Sequence, residues 1–118
     1  MLVLGRMDNQ LIIIHSDRLL ENVELKVTKV WTNTITLEIT APRSVVATYP
    51  MSVTEVEVGQ QVTLKGPFDG GDVEVKVLRI DRANGDGRGQ VKIGIAADRS
   101  VAIDREEIYI KKQLGKQV

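Results

Sequence analysis

The chain has 118 residues, with 16 basic and 16 acidic side chains for a formal net charge of zero, and apolar residues make up 42% of it. That length supports one core or two very small ones, and the neutral balance confines any nucleic-acid surface to a local patch. With no cysteine and one histidine, a disulfide framework, a thiolate metal site and a His-rich metal site are excluded.

One Trp, one Phe and two Tyr leave the core to aliphatic side chains, and abundant Val and Ile favour pleated strands over helices. No apolar run reaches transmembrane length, and the N-terminus lacks a signal peptide's basic-then-apolar layout, so a cytoplasmic protein without a membrane partner is expected.

In chain order, Met1–Arg6 (M-L-V-L-G-R) reads as a short strand and Leu11–Ile14 as a continuous apolar run suited to a buried strand. Ser16–Glu21 is polar and turn-like. Val23–Trp31 sets Val23, Leu25 and Val27 against Glu24, Lys26 and Thr28, the period of a half-buried strand. Thr32-Asn33 reverses the chain, and Thr34–Ala41 alternates again through Ile35, Leu37 and Ile39. Pro42 breaks the ladder before a last short strand, Val45–Thr48. Five such strands in about fifty residues cannot close a core alone.

The pattern then repeats. Val23-Glu24-Leu25-Lys26-Val27 recurs as Val73-Glu74-Val75-Lys76-Val77, and Gln10, Ile12 and Ile14 recur as Gln60, Val62 and Leu64. Ala41, Arg43, Ser44 and Val45 recur as Ala97, Arg99, Ser100 and Val101. The offset is 50 residues up to Val30 and Ile80, and 56 beyond them. The change falls where Thr32-Asn33 gives way to the longer Arg82–Gly89, at a hairpin tip, where insertions cost little. Constant spacing on both sides of one insertion indicates an internal duplication, with repeats over 1–50 and 51–118.

Only the second copy continues into a helix, expected over about 105–115. Asp104 suits its N-cap, and Glu107 three residues on would complete a capping box. Arg105 stands at the joint between strand and helix, held at its root and free at its tip. The first copy ends in Thr48-Tyr49-Pro50 and has lost its helix.

Three runs carry a resemblance to a known family: the opening M-L-V-L-x-R, the loop A-P-R-S-V at Ala41–Val45, and V-A-I-D-R-E-E-I-Y at Val101–Tyr109. With V-G-Q at Val58–Gln60 and V-K-I-G-I-A-A at Val91–Ala97, both halves resemble the carbon storage regulator family, small bacterial proteins that bind mRNA leaders. The resemblance implies an all-β fold with one short C-terminal helix, two interlocked five-stranded units forming a pseudo-dimeric sandwich or barrel. It also implies an RNA site made by the first strand of one unit beside the fifth strand of the other.

In this chain the first such site would combine Leu4, Gly5 and Arg6 with Val101, Ile103, Arg105 and Glu106, near the loop holding Ala97 and Arg99. Its implied partner is a GGA-containing loop of an mRNA leader or small RNA, read on its Watson–Crick edges by strand-edge amides and carbonyls. Arg105 would anchor phosphate or base. Met7, in place of a second basic residue, and Asp98, where the first copy has Pro42, are departures that weaken the site. The second site would combine Met51–Glu57 with the end of the first copy, and there Glu55 and Glu57 stand where basic residues are expected and Tyr49 matches Arg105. Carboxylates on a phosphate path repel it, so that site is expected to be closed to RNA.

A protein-interaction module that has lost RNA binding, pairing with family members or with a protein antagonist, is the alternative that neutral charge, Glu55, Glu57 and Asp98 support. The short link at Tyr49-Pro50 allows either a monomeric pseudo-dimer or a strand-swapped homodimer.

The residues by themselves also admit plainer roles. Arg105 can form a surface ion pair with Glu106 or Glu107, His15 can be a polar strand end, and Trp31 can cap an aliphatic core. Asn84–Gly89 lacks the strand-to-helix context of a phosphate cradle and reads as a hairpin tip. Asp69, Asp72, Asp81 and Asp86 show no calcium-loop spacing and read as solvated turns. No nucleophile–base pair or cofactor motif is visible, so neither enzymatic activity nor a cofactor is expected.

Overall fold

The computed structural model describes residues 1–16, 19, 21–47, 53–68, 70–82 and 89–116. The first half forms β1 (Leu2–Arg6), β2 (Gln10–His15), β3 (Val23–Val30), β4 (Thr34–Thr40) and β5 (Val46–Ala47). The second forms β6 (Val53–Glu57), β7 (Gln61–Lys65), β8 (Val73–Arg82), β9 (Gly89–Ala96) and β10 (Ala102–Arg105), then helix α1 (Glu106–Lys116).

These strands build two five-stranded sheets in the orders β1-β9-β8-β7-β5 and β10-β2-β3-β4-β6. Every ladder is antiparallel. Each half supplies the three middle strands of one sheet and lends its first and last strands to the edges of the other. The fold is thus all-β with one C-terminal helix, and its two units interlock as expected.

The period-two alternation explains the packing. Ile12, Ile14, Leu25, Val27, Ile35 and Leu37 from one sheet and Val62, Leu64, Val75, Val77, Ile93 and Ile95 from the other join a single apolar cluster. Each such side chain stabilises the fold by roughly 1.5–3 kcal/mol through removal of its surface from water.

The two halves correspond at atomic detail. Asn9 and Gly59, 50 residues apart, both take a left-handed turn conformation, with φ of 65° and 92°. Their amides donate to Val27 O and Val77 O respectively. Gln10 Oε1 accepts from the Met7 amide at 2.8 Å, and Gln60 Oε1 from the Glu57 amide at 2.9 Å. Each long middle strand is irregular at the same place, between Val27 and Lys29 and between Val77 and Arg79. Past the insertion, the Val45 amide donates to Pro42 O and the Val101 amide to Asp98 O, both at 3.0 Å.

The helix breaks this symmetry. It packs on β2 and β10 and covers Ile13, which points away from the core yet is only 3% exposed. The equivalent outward positions in the first sheet are Gln61, Thr63 and Lys65 in place of Leu11, Ile13 and His15. That face, which no described helix covers, carries polar residues where an apolar one would lie bare.

One expectation is corrected. Trp31 does not cap the core: it is 43% exposed on the outer face of β4, its Nε1–H donates to Thr36 Oγ1 at 3.1 Å, and Lys29 Nζ lies 4.1 Å from its ring centroid. His15 is the polar end of β2, as expected; its Nε2 lies 3.2 Å from Asp104 Oδ2 and its ring meets Tyr109 edge-on at 5.3 Å. The hairpin tip over 83–88 and the Tyr49-Pro50 link lie outside the described residues, as do Asp69 and Asp86, while Asp81 pairs with Arg79 at 3.1 Å.

Candidate nucleic-acid interface

β1 is an outer strand of one sheet and β10 an outer strand of the other, so among the described residues each has a ladder partner on one side only. β1 turns through Met7–Gln10 into β2, and β2 is the strand β10 pairs with, so the two free edges flank the same side of the sandwich. Free edges offer amide donors and carbonyl acceptors in rows, a surface suited to unstacked bases.

One ion pair ties the edges together. Both Arg6 terminal nitrogens reach the Glu107 carboxylate, at 3.0 and 2.8 Å, while Nε donates to Gly5 O at 2.8 Å and Nη1 also to Leu11 O at 2.9 Å. The two parallel bonds fix the end of β1 against the first turn of α1. The Arg6 hydrogen bonds, followed by Glu107's own backbone amide, hold the Glu107 carboxyl down at about 2 from the ordinary 4.5.

Arg6 is 3% exposed, so it is a clamp inside the protein rather than a cation on its surface. The capping box expected of Asp104 and Glu107 does not form, because both carboxylates have stronger partners. Glu107 turns to Arg6. Asp104 takes Lys112 Nζ at 2.9 and 3.2 Å and His15 Nε2 at 3.2 Å. Burial pushes the Asp104 carboxyl up, but the bonds from Lys112 and His15 outweigh it and leave it lowered. Asn22 Nδ2 donates to Tyr109 Oη at 2.8 Å, so α1 is fastened at several points along the sheet.

The other expected residues divide by depth. Val101 is buried, and Leu4, Ala97 and Ile103 lean on the core as partly buried side chains. Glu106 is half-buried, and Arg99 and Arg105 are exposed. The Arg105 guanidinium forms no hydrogen bond to a described residue, although its charge contributes to holding Glu107 low. Arg6, Arg105 and Glu106 gather at one end of the flank. Arg99 stands beyond the other end of β10, in the turn that the Val101 amide closes on Asp98 O. The flank is a track with an exposed cation at each end.

Gln90 and Lys92 are the residues that sequence reasoning missed. The register pairs Gly5 with Lys92. A Cβ on Gly5 would stand 2.9 Å from the Gln90 amide and 3.0 Å from Lys92 Nζ, so both side chains cross β1 through the space glycine leaves. Only the pairing of β1 with β9 brings them there, and no local pattern signals it.

The opposite flank is built from β6 and β5. There Val53, Glu55 and Glu57 are exposed on β6, and β5 is two residues long. Tyr49, Met51 and Ser52, which complete the expected second site, lie outside the described residues.

Comparison with known proteins follows the same division. The model of the CsrA global regulator protein family matches the chain twice, over residues 1–48 and again over 51–113. The chain belongs to the CsrA family. The Translational regulator CsrA of Thermosipho melanesiensis is 46% identical over 59 residues, covering 50% of this chain and 64% of the relative. That of Thermosipho africanus is 36% identical over 59 residues, covering 50% of this chain and 66% of the relative. The match thus spans just under two thirds of the length of either relative. No solved structure matches the chain. In this CsrA-family chain no described helix is long and apolar enough to cross a membrane.

Proposed function

We propose that the chain is an RNA-binding regulator of translation, holding one GGA-containing loop of an mRNA leader or small RNA on the flank formed by β1 and β10. One observation carries this reading: two free strand edges share a flank on which Arg105 and Arg99 are exposed and Lys92 reaches across β1 at Gly5, next to Arg6. Unpaired bases lie on the strand edges, which read them by amide and carbonyl contacts. Arg105 grips phosphate or base in a bidentate contact, and Arg99 and Lys92 neutralise the backbone. Leu4 and Ile103 support the edges from the core side, Val101 and Ala97 shape the turn, and Glu106 limits the pocket beside Arg105. Arg6 acts from inside by holding the edges in place. The name Translational regulator carried by both relatives agrees with this role.

The burial of Arg6 favours a second reading, a protein-interaction module that has lost RNA binding, because it removes one cation from the surface. Titration of a fluorescent GGA-loop hairpin and a CCA-loop control separates the two. Specific GGA binding, weakened about tenfold or more by Arg105→Ala as expected for a contact worth roughly 1–3 kcal/mol, supports the RNA regulator. Equal binding of both loops, or none, removes it and leaves the protein-interaction reading.

A further inference from the structure

We infer that the flank around β6 is a docking site for an extended, basic segment of a protein partner, which adds as a strand to the β6 edge. The two flanks share one backbone frame and differ in charge. Around β1 the outward positions are Gly5, Lys92 and Gly94; their equivalents around β6 are Glu55, Thr36 and Glu38. Met7 becomes Glu57. Lys26 and Lys29 on β3 face the same surface, but the only charged side chains on β6, whose edge is free, are Glu55 and Glu57.

β6 pairs with β4 alone among the described residues, and no proline or lysine blunts its edge. An edge free on one side, whose charges are all negative, can add an extended chain of opposite charge through backbone hydrogen bonds. Its apolar anchors are Val53, 44% exposed, and Trp31, 43% exposed. Trp31 belongs to the same surface, since its indole is fixed on Thr36, directly across the ladder from Glu55. Lys29 already rests on that ring, which shows that the indole accepts a cation. An arginine of the incoming strand can take the place of Lys29 while its neighbours pair with Glu55 and Glu57. Phosphate is repelled by the same carboxylates, so the partner is a peptide and not an RNA.

Trp31 is the one tryptophan of the chain, so its fluorescence reports this flank and no other. The probe is an end-blocked hexapeptide of alternating arginine and valine, with a glutamate–valine hexapeptide as control. The expected result is a saturable change in Trp31 emission with the basic peptide alone. The double variant Glu55→Lys, Glu57→Lys should bind at least tenfold more weakly with unchanged circular dichroism. Lys29→Ala, which vacates the ring, should bind several-fold more tightly. The inference is overturned if the two peptides respond alike, if neither gives saturation, or if Lys29→Ala leaves affinity unchanged or weaker.

Discussion

At the scale of single residues, the clamp between Arg6 and Glu107 shows how a buried charge is tolerated. Arg6 meets one carboxylate and two backbone carbonyls, so most of its donors are satisfied away from water. Glu107→Gln leaves that guanidinium without its counter-ion. A loss of about 1–3 kcal/mol is expected in denaturant unfolding, the lower part of the range being favoured by the solvent-exposed side of Glu107. Because the Glu107 carboxyl is held near 2 instead of 4.5, its stabilisation is complete above 4.5 and disappears as pH falls towards 2. Asp104 is lowered too and acts in the same direction. Thermal midpoints should therefore drop across that acid range, and more shallowly in Glu107→Gln. Gly70 poses a different constraint: its φ is 79°, and a Cβ there would occupy the space of the Asp98 side chain. Gly70→Ala should cost about 1–3 kcal/mol, read as a lower denaturant midpoint at unchanged slope.

At the scale of elements, the helix depends on the sheet beneath it. An isolated segment of its length is marginal in water, so its stability comes from packing. Tyr109 meets the His15 ring and accepts from Asn22, and Lys112 reaches Asp104. Tyr109→Ala should free the C-terminal half of α1, seen as faster amide exchange there while β3 and β8 keep their protection. The sheet surface that no described helix covers teaches the complementary lesson. Thr63, where the second sheet has Ile13, needs no cover.

At the scale of the whole molecule, interlocking makes the halves interdependent. Each sheet takes its edges from the other half, so the chain should unfold as one unit, with Trp31 fluorescence and far-ultraviolet dichroism giving coincident transitions. Under the proposed function, a GGA hairpin should saturate the chain at one RNA per chain, measured by sedimentation or native mass spectrometry, without the bridging of paired RNA elements that two like sites allow.

Much of this was legible beforehand because β alternation and turn chemistry are local. The strand positions and the exposed Arg105 follow from runs such as Val23–Val27 and Val101–Tyr109. What the sequence could not decide is which side chains meet across the interlock. Arg6 reads as a surface cation near a terminus, yet a partner 101 positions away draws it inside. Lys92 sits in an ordinary strand until β1 lies beside it and Gly5 leaves it room. Asp104 and Glu107 have capping-box spacing, but Lys112, His15 and Arg6 offer charge-assisted partners, which outcompete neutral backbone amides. Periodicity along the chain determined the elements; only tertiary structure, by bringing distant charges within 3 Å, decided their use.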